Sequence, residues 1–273
     1  MRSPLERWLV ALAVTAALVS GCSGATASSE PIPESARSLA VAPDFAGTLW
    51  EATGSTAWRS QDGGRSWRRV SGAHASLGVS FTELGSELVG AHGAQRGDYG
   101  GNGVARARPT PRTFVSISSP YHRTTRLYAV DLFGGLWGSA DGGRHWTRLR
   151  ALRLPSTAES VSAVRNDPST PDVVYVACGE SGLWRSTDDG ASFVQMPAPD
   201  VAYAVAMTTD DQRRVLVAGD QLYLSTDRGH TFLPVLDRRV DAIALDPRNQ
   251  RLAYAAVGRA LLRSVDGGRS WPG

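Results

Sequence analysis

The chain has 273 residues, of which 42% are hydrophobic and 20% charged, with a net charge of +3. This allows one large folded domain or two small ones, of ordinary composition. All 29 basic residues are arginine, and the weak net charge gives no support to nucleic-acid binding, which calls for a basic stripe.

The N-terminus, "MRSPLERWLVALAVTAALVSGCSG", sets Arg2 and Arg7 ahead of an apolar run twelve residues long, Trp8 to Val19, interrupted only by Thr15. A membrane span needs ~20 such residues, whereas this run has the length of a secretory h-region. The following "VSGC" resembles the lipobox of bacterial lipoproteins. That resemblance implies that residues 1–21 are a removed signal peptide and that Cys22 carries the lipid. The mature protein would then cross the cytoplasmic membrane and be held at the cell envelope by its anchor alone. An ordinary signal cut nearby, with Cys22 incidental, is the alternative. Residues 22–36, small, polar and proline-containing, read as the lipidated cysteine and a flexible tether. With Cys22 alkylated, Cys178 has no partner for an intramolecular disulfide. Cys178 ends "VVYVACG", where Thr53 stands in "TLWEATG", the place of a small buried strand residue and not of a nucleophile.

From residue 37 onward a single octapeptide recurs. "SQDGGRSW" at Ser60 returns as "SADGGRHW" at Ser139, "STDDGASF" at Ser186, "STDRGHTF" at Ser225 and "SVDGGRSW" at Ser264. The steps are 79, 47, 39 and 39 residues, so one copy is missing after the first. A period of about 40 residues marks solenoids and propellers. Each period is read as short strands rich in Val, Leu, Ala and aromatics, separated by Pro/Asp/Asn/Gly turns. The last runs "VDAIAL", "RLAYAAV", "ALLRS" and then the octapeptide, which joins strand three to strand four. In the unit without an octapeptide, "LGVSFTEL", "SELVGAH" and "GVARARP" read as the three strands. The expected fold is all-β, a β-propeller of six four-stranded blades over residues 37–273, with seven blades as the weaker option. The chain stops two residues after Trp271, so the last blade needs an outer strand from elsewhere. The N-terminal tail is the candidate, although Pro31 and Pro33 suit only an edge.

The octapeptide matches the Asp-box, or BNR repeat, S-x-D-x-G-x-x-W, and the chain resembles that family over essentially all of residues 37–273. Aspartate accepts backbone N–H bonds, glycine supplies positive φ, and serine bonds the same loop. Asp62, Asp141, Asp188, Asp227 and Asp266 are therefore expected to be structural turn residues. By the resemblance, these turns lie on the face opposite an active or binding site.

Sialidases share the boxes, but their F/Y-R-I-P motif has no counterpart; "TPRTF" around Arg112 is the nearest string. The compact repeat looks more like non-catalytic BNR proteins, including extracytoplasmic lipoproteins and photosystem II assembly factors. The resemblance implies a monomeric, cofactor-free disc that binds a protein or glycan, with glycoside hydrolysis of the sialidase kind as the alternative. The five histidines show no metal-ligand spacing. Arg37, Arg112 and Arg239 sit at joints leading into strand one, and "HGAQRGDYGGNG", read as a long strand-two-to-three loop, adds Arg96, Asp98 and Tyr99. Such a ring suits an acidic peptide or carboxylate. The competing reading is of scattered solvated arginines, with Glu34, Glu159 and Asp237 close enough to neutralise them.

Overall fold

The computed structural model describes residues 30–43, 45, 47–74, 76–82, 85–91, 93–97, 104, 108–120, 125–152, 161–168, 170–197, 199–207 and 214–272. Cys22, Asp98, Tyr99 and Glu159 lie outside them. Among the described residues there is no helix.

The chain forms six sheets. β1 (Glu30–Pro31) precedes the first blade, which consists of β2 (Ser38–Val41), β3 (Leu49–Ala52), β4 (Ala57–Ser60) and β5 (Arg68–Arg69). The second holds β6 (Ser76–Thr82), β7 (Gly85–Gly90) and β8 (Gly93–Gly97). The third holds β9 (Phe114–Ser118), β10 (Leu127–Asp131), β11 (Leu136–Ser139) and β12 (Thr147–Arg148). The fourth holds β13 (Ala163–Asn166), β14 (Val174–Ala177), β15 (Leu183–Ser186) and β16 (Val194–Gln195). The fifth holds β17 (Ala204–Met207), β18 (Val215–Ala218), β19 (Leu222–Ser225) and β20 (Leu233–Leu236). The sixth holds β21 (Ala242–Leu245), β22 (Ala253–Val257) and β23 (Ala260–Ser264). First strands touch in a ring, β2 to β6 to β9 to β13 to β17 to β21 and back to β2. The chain is a six-bladed β-propeller, as the repeat implies.

Packing between blades supplies the core. The second strands β3, β10, β14 and β18 are buried along their whole length, as expected of strands covered on both faces. The inner edge of each first strand faces the central channel, where its amides need acceptors. Serines of the preceding blade provide them: Ser38 Oγ accepts from Val79 N (3.2 Å), Ser116 Oγ from Val164 N (3.3 Å) and Ser118 Oγ from Asn166 N (2.9 Å).

Two expectations need correction. Residues 30–36, assigned from the sequence to the tether, are part of the propeller. β1 pairs antiparallel with β23, Glu30 opposite Leu261 and Pro31 opposite Ala260, and so completes the sixth blade. Ile32 and Ala36 are 1% and 3% exposed in the core between blades six and one. Pro31 is tolerated because β1 is an edge strand. In the second blade the third strand is β8, not "GVARARP". Gly93, at φ +100°, closes a tight hairpin after β7, and a Cβ there would lie 2.1 Å from the Arg108 carbonyl. Val104 and Arg108 only bridge to Gly97 and Ala94, in place of an outer strand.

Candidate functional site

Antiparallel neighbours run in opposite directions, so each blade opens alternately on two faces. The joints into strand one and the strand-two-to-three turns share one face, here the joint face. The strand-one-to-two turns and the octapeptide turns share the other.

Each octapeptide is a closed hydrogen-bonded turn. In the first, Ser60 Oγ donates to Asp62 Oδ1 (2.8 Å) and accepts from Gly64 N (2.8 Å). Asp62 also accepts from Ser66 N (2.9 Å) and Ser66 Oγ (2.6 Å), and Trp67 Nε1 donates to Gly64 O (2.9 Å). The serine-to-aspartate and glycine-to-serine bonds recur at Asp141, Asp188, Asp227 and Asp266. Gly64 sits at φ +96°, which favours glycine, and a Cβ there would also lie 2.4 Å from Leu261 Cδ2 of the sixth blade. The aspartates are thus saturated by their own turns. His145 joins this network through Nδ1, 2.5 Å from Asp141 Oδ2.

On the joint face a cavity of about 640 Å³ is lined by Arg37, Arg239, Glu34, Asp131, Leu132 and Asp241, among others. Arg239 lies over the ring of Tyr203, its Cζ 5.0 Å from the centroid. All three carboxylates have partners. Asp131 Oδ1 accepts from Phe133 N (2.9 Å) and Gly135 N (2.8 Å), and its Oδ2 from Trp137 Nε1 (2.8 Å). Asp241 Oδ2 accepts from Gly258 N (2.7 Å), and Glu34 Oε2 from Ser55 Oγ (2.8 Å). Bonds from Thr53 and Ser55 hold the Glu34 carboxyl below its ordinary range.

The bonds to Asp131 pin the turn between β10 and β11. Leu132 N also donates to Thr113 O (2.9 Å), tying that turn to the joint beside Arg112. The result is a rigid projection in which Leu132 is 58% and Phe133 79% exposed.

Of the residues picked out from the sequence, Arg37 and Arg239 come together in this cavity, whereas Arg112 and Arg96 do not line it. Arg96 is near the end of β8, whose chain direction carries it toward the face of the octapeptide turns. The loop reading of "HGAQRGDYGGNG" placed it on the wrong side, because the hairpin at Gly93 uses up the strand-two-to-three connection. The ring of arginines becomes a mixed site of two arginines and three acids. Asp131, Leu132, Phe133 and Tyr203 escaped the sequence reading. For the first three the signal was "DLFGG", two large apolar residues held between an aspartate and a glycine pair; Tyr203 had none.

Cys178 is 1% exposed just past β14, and burial pushes its thiol up to about 12. It is a packing residue.

No family model and no curated protein matches the chain. Solved structures do. The GH74 xyloglucanase from Xanthomonas campestris is similar at a TM-score of 0.58 and 22% identity, covering 84% of this chain. This chain spans only 36% of that enzyme's length. YCF48 from Cyanidioschyzon merolae is similar at a TM-score of 0.57 and 15% identity, covering 90% of this chain and 87% of its own. A YCF48 bound to D1 peptide gives a TM-score of 0.55 at 17% identity, covering 90% and 84%. At such identities the likeness is one of fold.

Proposed function

We propose that the protein is a non-catalytic, extracytoplasmic propeller, lipid-anchored through Cys22, that binds a protein partner at its joint face. The observation that carries this reading is the pinned turn: Asp131 holds Leu132 at the wall of the cavity that Arg37 and Arg239 also line, with the exposed Phe133 next in the same turn. An exposed apolar pair held rigidly at the edge of an arginine-lined cavity has the character of a protein-binding hot spot. The YCF48 bound to D1 peptide supports the reading, as a propeller of similar fold and extent with a polypeptide ligand. The octapeptide turns, each resembling an Asp-box, serve the fold. The joint-face acids are engaged with backbone, indole or hydroxyl donors, which favours binding over acid–base work. The tether of the anchored chain is residues 22–29, since the propeller begins at Glu30.

The test is capture of partners from native membranes by the wild-type protein and by Phe133→Asp combined with Arg37→Glu and Arg239→Glu. A partner lost only with the variant supports the site, and an unchanged set of partners discards it. The second reading, a glycoside hydrolase, draws on the GH74 likeness, and hydrolysis of xyloglucan or a sialoside by the wild type would establish it. Mass spectrometry of membrane-extracted protein should find an acylated N-terminal peptide beginning at Cys22. Unmodified protein cut elsewhere ends the lipoprotein reading.

A further inference from the structure

The central channel holds a charge that the repeat does not require. Opposite the second residue of strand two, the first strands carry Ala40, Ser118, Arg165, Ala206 and Ala244 in blades one, three, four, five and six. Four blades make do with a small side chain. In the fourth blade an arginine lines the wall of a channel cavity of about 600 Å³.

Its bonds leave the guanidinium partly unused. Nη1 donates to Val164 O (2.8 Å), Ser116 Oγ (3.1 Å) and Ile117 O (3.3 Å), which fixes the group across the gap between β13 and β9. These acceptors are neutral, and among the described residues neither Nε nor Nη2 has a partner. Burial alone pushes the guanidinium down to about 10, with no nearby carboxylate to offset it. Arg165 is only half-buried, so this unpaired edge of the guanidinium is open to the channel. The adjacent Asn166 lines the same cavity at 6% exposure, and neither its Oδ1 nor its Nδ2 finds a partner. A buried amide without partners and a guanidinium edge without a counter-ion therefore stand side by side. Around them the wall mixes apolar side chains, including Leu39, Phe81, Met207 and Ile243, with Ser80, Ser118, Ser119 and a second arginine, Arg248.

We propose that Arg165 makes the central channel a binding site for a small monocarboxylate with an aliphatic body. The free edge of the guanidinium would take the carboxylate bidentately, the Asn166 amide would add a donor, and the alkyl chain would lie along the apolar side chains of the wall. The cavity belongs to the face of the octapeptide turns, since Pro43, Pro168 and Pro247 of the strand-one-to-two turns line it. The site is thus separate from the joint-face cavity.

The probes are hexanoate and its neutral isostere hexanamide, titrated calorimetrically into the full chain in a non-ionic detergent. Hexanoate is expected to bind at least about tenfold more tightly than hexanamide, as a charge-assisted bidentate contact requires. Arg165→Ala, which installs the residue found at this register in three other blades, should bring hexanoate down to the level of hexanamide. Equal binding of the two by the wild type, no binding of hexanoate, or undiminished hexanoate binding by folded Arg165→Ala overturns the proposal. If Arg165→Ala does not fold, Asn166→Ala replaces it, with weakened hexanoate binding expected. Unchanged affinity there, or equal binding of the two probes by the wild type, still refutes the site.

Discussion

Tyr128 in the third blade turns its phenol O–H onto Asp189 in the octapeptide turn of the fourth, where the backbone carbonyl, 2.8 Å away, and carboxylate Oδ1 both accept it. Tyr175 in the fourth blade likewise donates to Arg228 O of the fifth, at 3.0 Å. Tyr254 of the sixth comes up beneath Gly63 of the first. Three of the five octapeptides are thus seats for a strand-two tyrosine of the preceding blade, and these join blades as well as strands. Trp50 holds this place in the first blade, but the second blade has no octapeptide, and the indole N–H finds no partner.

Removing the phenol should therefore cost stability where the seat exists. Tyr128→Phe is expected to lower stability by about 1 kcal/mol, the net worth of a hydrogen bond, or more if Asp189 is left unsatisfied. Trp50→Phe gives up no such bond, and its cost should follow from lost packing volume alone. Denaturant titration of both variants checks this; an unaffected Tyr128→Phe would deny the inter-blade role.

The position that accepts these bonds has a backbone preference of its own. Gly63, Gly142 and Gly267 occupy it at positive φ in three turns, whereas Asp189 and Arg228 adopt φ of 60° and 63°. A left-handed non-glycine residue costs roughly 1–2 kcal/mol, and glycine's added freedom when unfolded returns part of that. Arg228→Gly should raise stability by a few tenths to about 1 kcal/mol, because the carbonyl that serves Tyr175 is retained. A lower melting temperature would contradict it. Asp189→Gly should not gain, since Asp189 also forms an ion pair with Arg126 at 2.9 Å.

The octapeptide aspartates are expected to act on folding and not on binding. Asp62→Ala removes the acceptor of three turn hydrogen bonds and should lower the melting temperature, at about 1 kcal/mol per bond. The hydroxyl of Ser66 holds Asp62 at about 2, and that of Ser192 holds Asp188 at about 2. At Asp227 and Asp266 burial pushes upward but the bonds of Thr231, Ser270 and their turns prevail, again giving about 2. These folded-state values lie below the unfolded one, so the stabilisation is complete above pH 3.8 and is lost as pH falls toward 2. Acid titration of the fold should show that loss, with a smaller one in Asp62→Ala. A box variant of full stability that loses its ligand would reverse this view.

Glu51 on β3 should produce the opposite slope. It is 0% exposed, and neither carboxylate oxygen has a partner. Burial, with a smaller contribution from the charge of Glu34, pushes it up to about 8. The folded chain therefore keeps a proton that the unfolded chain has released. The stability that this proton confers is complete below pH 4.5 and drains away as pH rises to about 8. The slope is at most about 1.4 kcal/mol per pH unit for one proton. Glu51→Gln should flatten the stability profile between pH 5 and 8, and an equally steep profile in that variant would exclude Glu51 as its source.

The sequence by itself determined the repeat, its strand order and its turns, because those are local. Ser60, Asp62, Gly64 and Ser66 satisfy one another within seven residues, so five copies could be read without knowing where any neighbour lay. "GAQRG" failed as a strand signal, lacking the leucines or aromatics of the other third strands, and its face was misjudged as a result. Other features exist only once the ring closes. β1 meets β23 across nearly the whole chain, with Arg259 Nη2 donating to Pro33 O at a separation of 226 residues. Arg165 reads like any other arginine in an arginine-only chain until the register sets it among alanines at the channel wall. Glu51 reads like a strand-edge polar residue until the sixth blade and the strap through Ile32 and Ala36 shut it from water. Hydrogen bonds inside one turn are encoded in one short string, whereas burial, charge pairing and the face on which a side chain lies depend on which blade arrives next to it.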